Sequence, residues 1–299
     1  MGIRIAVMSP GRTWAILIET RPEDASELIP PSWRGMGFKV IPLAGPEPTM
    51  KHICLYVESQ EHRSVFSALC SDIIRTLESS DPASRVKNLQ NCFHRWSKFF
   101  DRWGQEGLTP ETQRGLFGEL TLLEILLNFG ISPMEVLSSW KGCCGGIHDF
   151  VNKGRAIEVK TTMSKEPRKI VINSERQLDD AGLTSLSLFV LTLQEMDSGA
   201  KSLPGMVSEI RQKLEKDYNA LNIFESDLIA AGYVDADGNK YQKRYMIRKE
   251  EGFVIRNGFP RIITISPGIG DLQYSVTISA CRSFEAVIEI ILVDFREGE

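Results

Sequence analysis

A chain of 299 residues, 42% apolar and 25% charged, can bury a full core, which excludes a disordered or fibrous protein and one that depends on disulfide staples. The formal net charge of −4 gives no global attraction to nucleic acid, so any such affinity has to come from local basic clusters. The six cysteines (Cys54, Cys70, Cys92, Cys143, Cys144 and Cys281) include no Cys-x-x-Cys pair, no secretory leader accompanies them, and no apolar run is long enough to cross a bilayer, so a reducing cytoplasm is the expected setting.

In chain order, IRIAVM at 3–8, TWAILIE at 13–19, FKVIPL at 38–43 and HICLYVE at 52–58 alternate or run apolar between turn residues and predict a small sheet, its connections broken by Pro30, Pro31, Pro46 and Pro48. Helical spacing follows over 61–77 and, rich in aromatics, over 84–103. A break at 104–110 places a domain boundary near 105, giving an N-terminal α+β domain over 1–105 and a second domain over 106–299. Thr109-Pro110-Glu111 has the order of a helix start and opens a helix to about Phe129. A short helix at 132–140, the Gly-rich KGCCGG at 141–146, and strands at 147–152, 155–162, 169–173 and 186–194 come next. Residues 203–231 read as helical, and 241–280 as β-rich, with RIITIS and YSVTIS the clearest segments.

The chemistry lies in the hairpin. If Lys153-Gly154 is a two-residue turn, Asn152 pairs with Arg155 and Asp149 faces Glu158. Side chains alternate across a strand, so Asp149, Glu158 and Lys160 share one face while Phe150, Ile157 and Val159 share the other, one face for chemistry and one for core. Opposed carboxylates sit about 5 Å apart at Cβ and repel, which calls for a positive charge between them. Hard oxygen donors suit Mg2+, and the carbonyl of Val159 could add a ligand. Lys160 would be a point charge that orients and helps deprotonate an attacking water and stabilises charge on a phosphate. Glu119 stands on an apolar helix face beside Leu122, Leu123 and Leu126, where a carboxylate is costly without a partner. It either points into the same site or meets a basic residue on a slightly rotated helix.

The order of a helix carrying GLFGEL, then HDF, then AIEVKTT resembles the PD-(D/E)XK nuclease superfamily, which includes many restriction endonucleases; the likeness covers roughly residues 110–195. It implies a restriction-endonuclease-like mixed sheet flanked by helices, an α/β or α+β protein. It matches Asp149, Glu158 and Lys160 to the motif's three residues, Glu119 to a helix acid and Gln177 to a glutamine that some members carry. His148 stands where the motif has proline. The resemblance implies a Mg2+-dependent endonuclease, with Mn2+ as substitute, acting on DNA, most simply duplex, in restriction or phage defence and as a symmetric homodimer. A nucleic-acid-binding or assembly subunit that keeps the fold without cleaving, and a hydrolase of RNA or small nucleotides, are the alternatives.

Other patterns carry less. Cys143, Cys144 and His148 do not make a zinc site, because adjacent cysteines are expected to diverge and no fourth ligand stands at a suitable spacing. KGCCGG lacks the Lys-Ser or Lys-Thr of a phosphate loop and reads as a connector. Trp96, Phe99, Phe100 and Trp103 have the spacing of a packing face rather than of a base-stacking platform. Two basic stretches, Lys153, Arg155, Lys160, Lys165, Arg168, Lys169 and Arg176, then Lys240, Lys243, Arg244, Arg248, Lys249, Arg256 and Arg261, are either a nucleic-acid surface or a solvated face.

Overall fold

The computed structural model describes residues 2–9, 11–33, 35–42, 50–58, 63–78, 80–103, 107–266, 268–270 and 272–297, without the side chains of 64, 101–103 and 236. Pro46, Pro48, the break at 104–106 and the side chain of Trp103 therefore lie outside the described residues. The chain divides into two compact units, Met1–Leu108 with Leu228–Lys240, and Thr109–Asp227 with Tyr241–Glu299.

The first unit is built from β1 (Ile3–Met8), β2 (Thr13–Thr20), α1 (Pro22–Glu27), β3 (Met36–Pro42), β4 (Lys51–Val57), α2 (Arg63–Glu78) and α3 (Arg85–Trp103). Its sheet is antiparallel, in the order β1-β2-β4-β3. Alternation along β2 and β4 sends Ile16, Ile18, Ile53, Leu55 and Val57 to one face, where they pack with Phe66, Leu69 and Ile73 of α2 and Leu89, Phe93, Trp96 and Phe99 of α3. The aromatics of α3 are thus a packing face: Trp96 is fully buried, and its indole N–H donates to Asp72 Oδ2 at 2.9 Å.

The second unit contains α4 (Pro110–Asn128), α5 (Pro133–Ser139), β5 (Phe150–Asn152), β6 (Arg155–Thr162), β7 (Lys169–Ile172), β8 (Ser185–Met196), β9 (Lys201–Ser202), α6 (Leu203–Leu214), α7 (Tyr218–Ala230), β10 (Arg244–Ile255), β11 (Tyr274–Thr277), β12 (Glu285–Ala286) and α8 (Ile288–Arg296), with the division between the units falling inside α7. The main sheet runs β12-β10-β8-β6-β5 and is mixed: β6 and β8 are parallel, the remaining pairs antiparallel, and β9 adds to β10. β7 and β11 form a separate ribbon. This is the mixed α+β sheet flanked by helices that the family resemblance implies. Among the described residues no helix is long and apolar enough to cross a membrane.

Several local expectations change. β6 is not divided into one packed and one chemical face: Ala156, on the side of Glu158, packs with Ile170, Leu186 and Leu188, while Ile157 and Val159 are buried on the other side. A strand between two neighbours in a sheet covered on both sides has no wet face. The helical stretch 203–231 is two helices, α6 and α7, and the strand expected from 147 starts only at Phe150. RIITIS at 261–266 forms no strand: Ile262 N donates to the Tyr274 hydroxyl, and the Arg261 guanidinium holds the Leu178 carbonyl and Asp180. The helices α1 and α8 were not anticipated by the pattern, although Ile288, Ile291, Leu292 and Phe295 in α8 have helical spacing.

Candidate active site

The site grows from the β5–β6 hairpin. Lys153 and Gly154 have φ of 45° and 81°, the pair of positive values that a two-residue type I′ turn requires, and only the second is a glycine. The register is Asn152↔Arg155, Val151↔Ala156 and Phe150↔Ile157, and Asp149, one residue before the strand, lies close enough to Glu158 for its charge to act on that carboxyl. Asp149 then reaches across: its Oδ2 accepts from the Val159 N–H at 2.8 Å, just outside the end of β5. Glu158 is fully buried, and Lys160, two residues on, brings its Nζ to 2.7 Å from Glu158 Oε1.

Helix α4 contributes from the other side. Thr109 caps it by accepting from Thr112 N, with Pro110 in the first turn. A methyl group at Gly118 would lie 2.5 Å from Thr161 Cγ2 and 3.4 Å from Val159 Cγ1, so this glycine lets the helix settle onto β6. The next residue, Glu119, is then brought to the site, where its Oε2 accepts from the Trp140 indole N–H at 2.7 Å. The turn after α5 closes the ring. A methyl group at Gly142 would stand 2.6 Å from Glu119 Oε2 and 2.7 Å from Asp149 Oδ1, and the Lys141 and Gly142 N–H groups donate to the Asp149 carbonyl at 2.7 and 3.0 Å. Gln177 meets the opposite end: its Oε1 accepts from Lys160 Nζ at 3.0 Å and from Asn173 N at 2.9 Å. The structure therefore gathers Glu119, Asp149, Glu158, Lys160 and Gln177 in one place, with the Val159 backbone between the acids.

Electrostatics follow from this geometry. Burial, then the Asp149 charge, push the Glu158 carboxyl well above the usual range, and burial raises Asp149 as well, against the pull of Lys160 and the Val159 N–H. Burial works to lower Lys160, but the Glu158 and Asp149 carboxylates outweigh it and hold the ammonium above its ordinary value. Lys160 Nζ, 2.7 Å from Glu158 Oε1, is the charged partner of this carboxylate. One ammonium does not balance the three acids Glu119, Asp149 and Glu158 that act on it, and buried negative charge in excess calls for a proton or a further cation. The donor set is all oxygen, the kind that a hard divalent ion such as Mg2+ takes and a soft one does not; Glu119, Asp149 and Glu158 do not each bring an oxygen within 4.8 Å of the other two, so closing on an ion needs side-chain movement.

Trp140 and Gly142 were missed from sequence. Gly142 lies inside KGCCGG, read there as a connector, and nothing in a single sequence distinguishes Trp140 from a core tryptophan. The cysteines also depart from expectation. Cys143 and Cys144 do not diverge: within the short 3₁₀ turn Gly142–Cys144 their sulfurs lie 3.3 Å apart, and Asp227 joins them, whereas His148, buried, is not part of the set. Much of the basic stretches is spent internally, with Arg155 on Asp294, Arg168 and Lys249 on Glu251, Lys240 on Asp237, Lys243 on Glu195 and Arg261 on Asp180. Lys165, Lys169 and Arg176 stay exposed on the stretch that carries β7 and Gln177.

Compared with known families, residues 1–279 match the family model described as "Putative PD-(D/E)XK family member, (DUF4420)". Neither the curated proteins nor the solved structures give a match.

Proposed function

The chain belongs to the PD-(D/E)XK family DUF4420, and from that premise we propose that it is a metal-dependent nuclease that hydrolyses phosphodiester bonds in DNA. The observation that carries the reading is the excess of buried acid over base: Glu158 is fully buried, 2.7 Å from the single ammonium of Lys160, with the charges of Asp149 and Glu119 acting on it as well.

Glu119, Asp149 and Glu158, with the Val159 carbonyl, would hold the ion, Mg2+ or Mn2+ in its place. When bound, the ion supplies Lewis-acid stabilisation to a phosphate oxygen. Lys160, beside these carboxylates, would be a point charge that orients and helps deprotonate the attacking water and offsets charge gathering on the phosphate. Gln177, anchored on the Asn173 N–H, holds the Lys160 Nζ in position. Trp140 fixes the carboxylate of Glu119. The exposed Lys165, Lys169 and Arg176 support a polyanionic substrate, most simply duplex DNA. Restriction or phage defence and a symmetric dimer that cuts both strands complete the proposal.

The test is plasmid incubated with Mg2+ and the protein, beside Glu158→Ala and Lys160→Ala. Cleavage by the unsubstituted protein and a fall of at least about a hundredfold in both variants is the expected result. Equal rates in all three contradict the assignment. Retention of duplex with no cleavage in either Mg2+ or Mn2+ would instead assign a binding subunit.

A further inference from the structure

We propose that Cys143, Cys144 and Asp227 form a second metal site, for a thiophilic divalent ion of the Zn2+ class, distinct from the acidic centre and chemically unlike it. All three residues belong to the second unit, and one ligand atom from each lies within 4.8 Å of the others. The two sulfurs are 3.3 Å apart. Around a tetrahedral zinc with bonds of about 2.3 Å to sulfur and about 2.1 Å to oxygen, ligand atoms stand roughly 3.5–3.8 Å from one another. That spacing falls between the observed sulfur separation and the outer limit of the set, so closing on an ion needs movements of only a few tenths of an ångström for the cysteines.

Burial is graded in a way that suits entry and retention: Cys143 is buried, Asp227 half-buried and Cys144 exposed. Three protein ligands leave a fourth position for water. Two thiolates select against Mg2+, so the two sites would not compete for one ion. The position in the fold gives the site a consequence. The cysteines occupy the 3₁₀ turn that begins at Gly142, the glycine against which the Glu119 and Asp149 carboxylates converge. An ion shared with Asp227 of α7 pins that turn, and with it the wall of the acidic centre.

The reduced full-length protein, stripped of metal, is titrated with Cd2+ as the probe while the thiolate-to-cadmium charge-transfer absorption is followed, and Zn2+ is then added in competition. One equivalent of Cd2+ should saturate the band, and Zn2+ should displace it. Cys144→Ser, at an exposed position that spares the fold, should lose the band. Asp227→Asn should keep it but weaken binding by more than about tenfold, a loss expected even from a partner one step removed from an ion. Glu158→Ala should bind Cd2+ like the unsubstituted protein, since the site does not rest on the nuclease reading. Far-UV circular dichroism confirms that each variant is folded. Absence of a band in the unsubstituted protein, or a band of full strength in folded Cys144→Ser, overturns the proposal.

Discussion

At the scale of single residues, the acidic centre works by close approach, and a methyl group is the finest probe of it. Gly142→Ala places a carbon 2.6 Å from Glu119 Oε2 and 2.7 Å from Asp149 Oδ1, where it must displace both carboxylates. The helix, sheet and core are untouched. The expected outcome is a folded protein with normal thermal unfolding that needs at least about tenfold more Mg2+ to reach half-maximal cleavage. Trp140→Phe is the milder counterpart: it keeps the ring and removes only the N–H that holds Glu119, so the Mg2+ requirement should rise while the rate at saturating Mg2+ changes little. A variant that loses rate at all Mg2+ concentrations equally would place Trp140 outside metal binding.

At the scale of elements, the packing of α4 on β6 depends on Gly118. Gly118→Val would drive a side chain into Thr161 and Val159 and push the helix that carries Glu119 off the strand that carries Glu158. Overpacking of this kind costs about 1–3 kcal/mol, measurable by denaturant unfolding, and cleavage should fall further than the lost stability explains. β10 is held by a charge cluster. Glu251, buried, accepts from Arg168 Nη2 at 3.2 Å and lies 2.8 Å from Lys249 Nζ and 2.9 Å from Arg282 Nη2. Burial works to raise this carboxyl, but the hydrogen bonds from Arg168 and Lys249 prevail and hold it below its ordinary 4.5. A folded-state value below the unfolded one means that the contribution is complete above the unfolded value and is lost as pH falls through the folded value. Glu251→Gln should therefore cost about 1–3 kcal/mol near neutrality, mainly through Arg168, since Lys249 and Arg282 are solvated, and the difference from the unsubstituted protein should shrink as pH drops below 4.5. A difference independent of pH would contradict the ion-pair account.

The same scale shows what a single sequence can and cannot disclose. The β5–β6 pairing was legible because a two-residue turn fixes register by arithmetic, and Lys153-Gly154 adopts the positive φ pair that such a turn needs. The start of α4 was legible for a similar local reason, its Thr-Pro cap. RIITIS misled because the isoleucines that favour a strand are there exposed or half-exposed and tied to neighbouring side chains instead. Trp140 and Gly142 were out of reach because their roles arise only when a loop closes against residues 23 positions earlier and 7 later in the chain, as in Gly142 with Glu119 and Asp149. The convergence of Cys143 and Cys144 likewise depends on a 3₁₀ turn that composition does not announce.

At the scale of the whole molecule, net charge and local charge oppose each other. On the proposed function, a chain of net charge −4 with many of its basic residues in ion pairs would bind a polyanion through exposed cations, and Lys165, Lys169 and Arg176 are the candidates. Replacing all three by Gln should weaken duplex binding and reduce the slope of log affinity against log salt by about 2–3, close to one per lost phosphate contact. An unchanged slope would move the DNA surface elsewhere.

The central claim is that Asp149 and Glu158 share a divalent ion, and equilibrium binding of Mn2+, read from the loss of the free-ion paramagnetic resonance signal, tests it most directly. The account predicts one tightly held Mn2+ that Mg2+ displaces, bound at least about tenfold more weakly by Glu158→Gln. Equal Mn2+ binding by the unsubstituted protein and Glu158→Gln would contradict it.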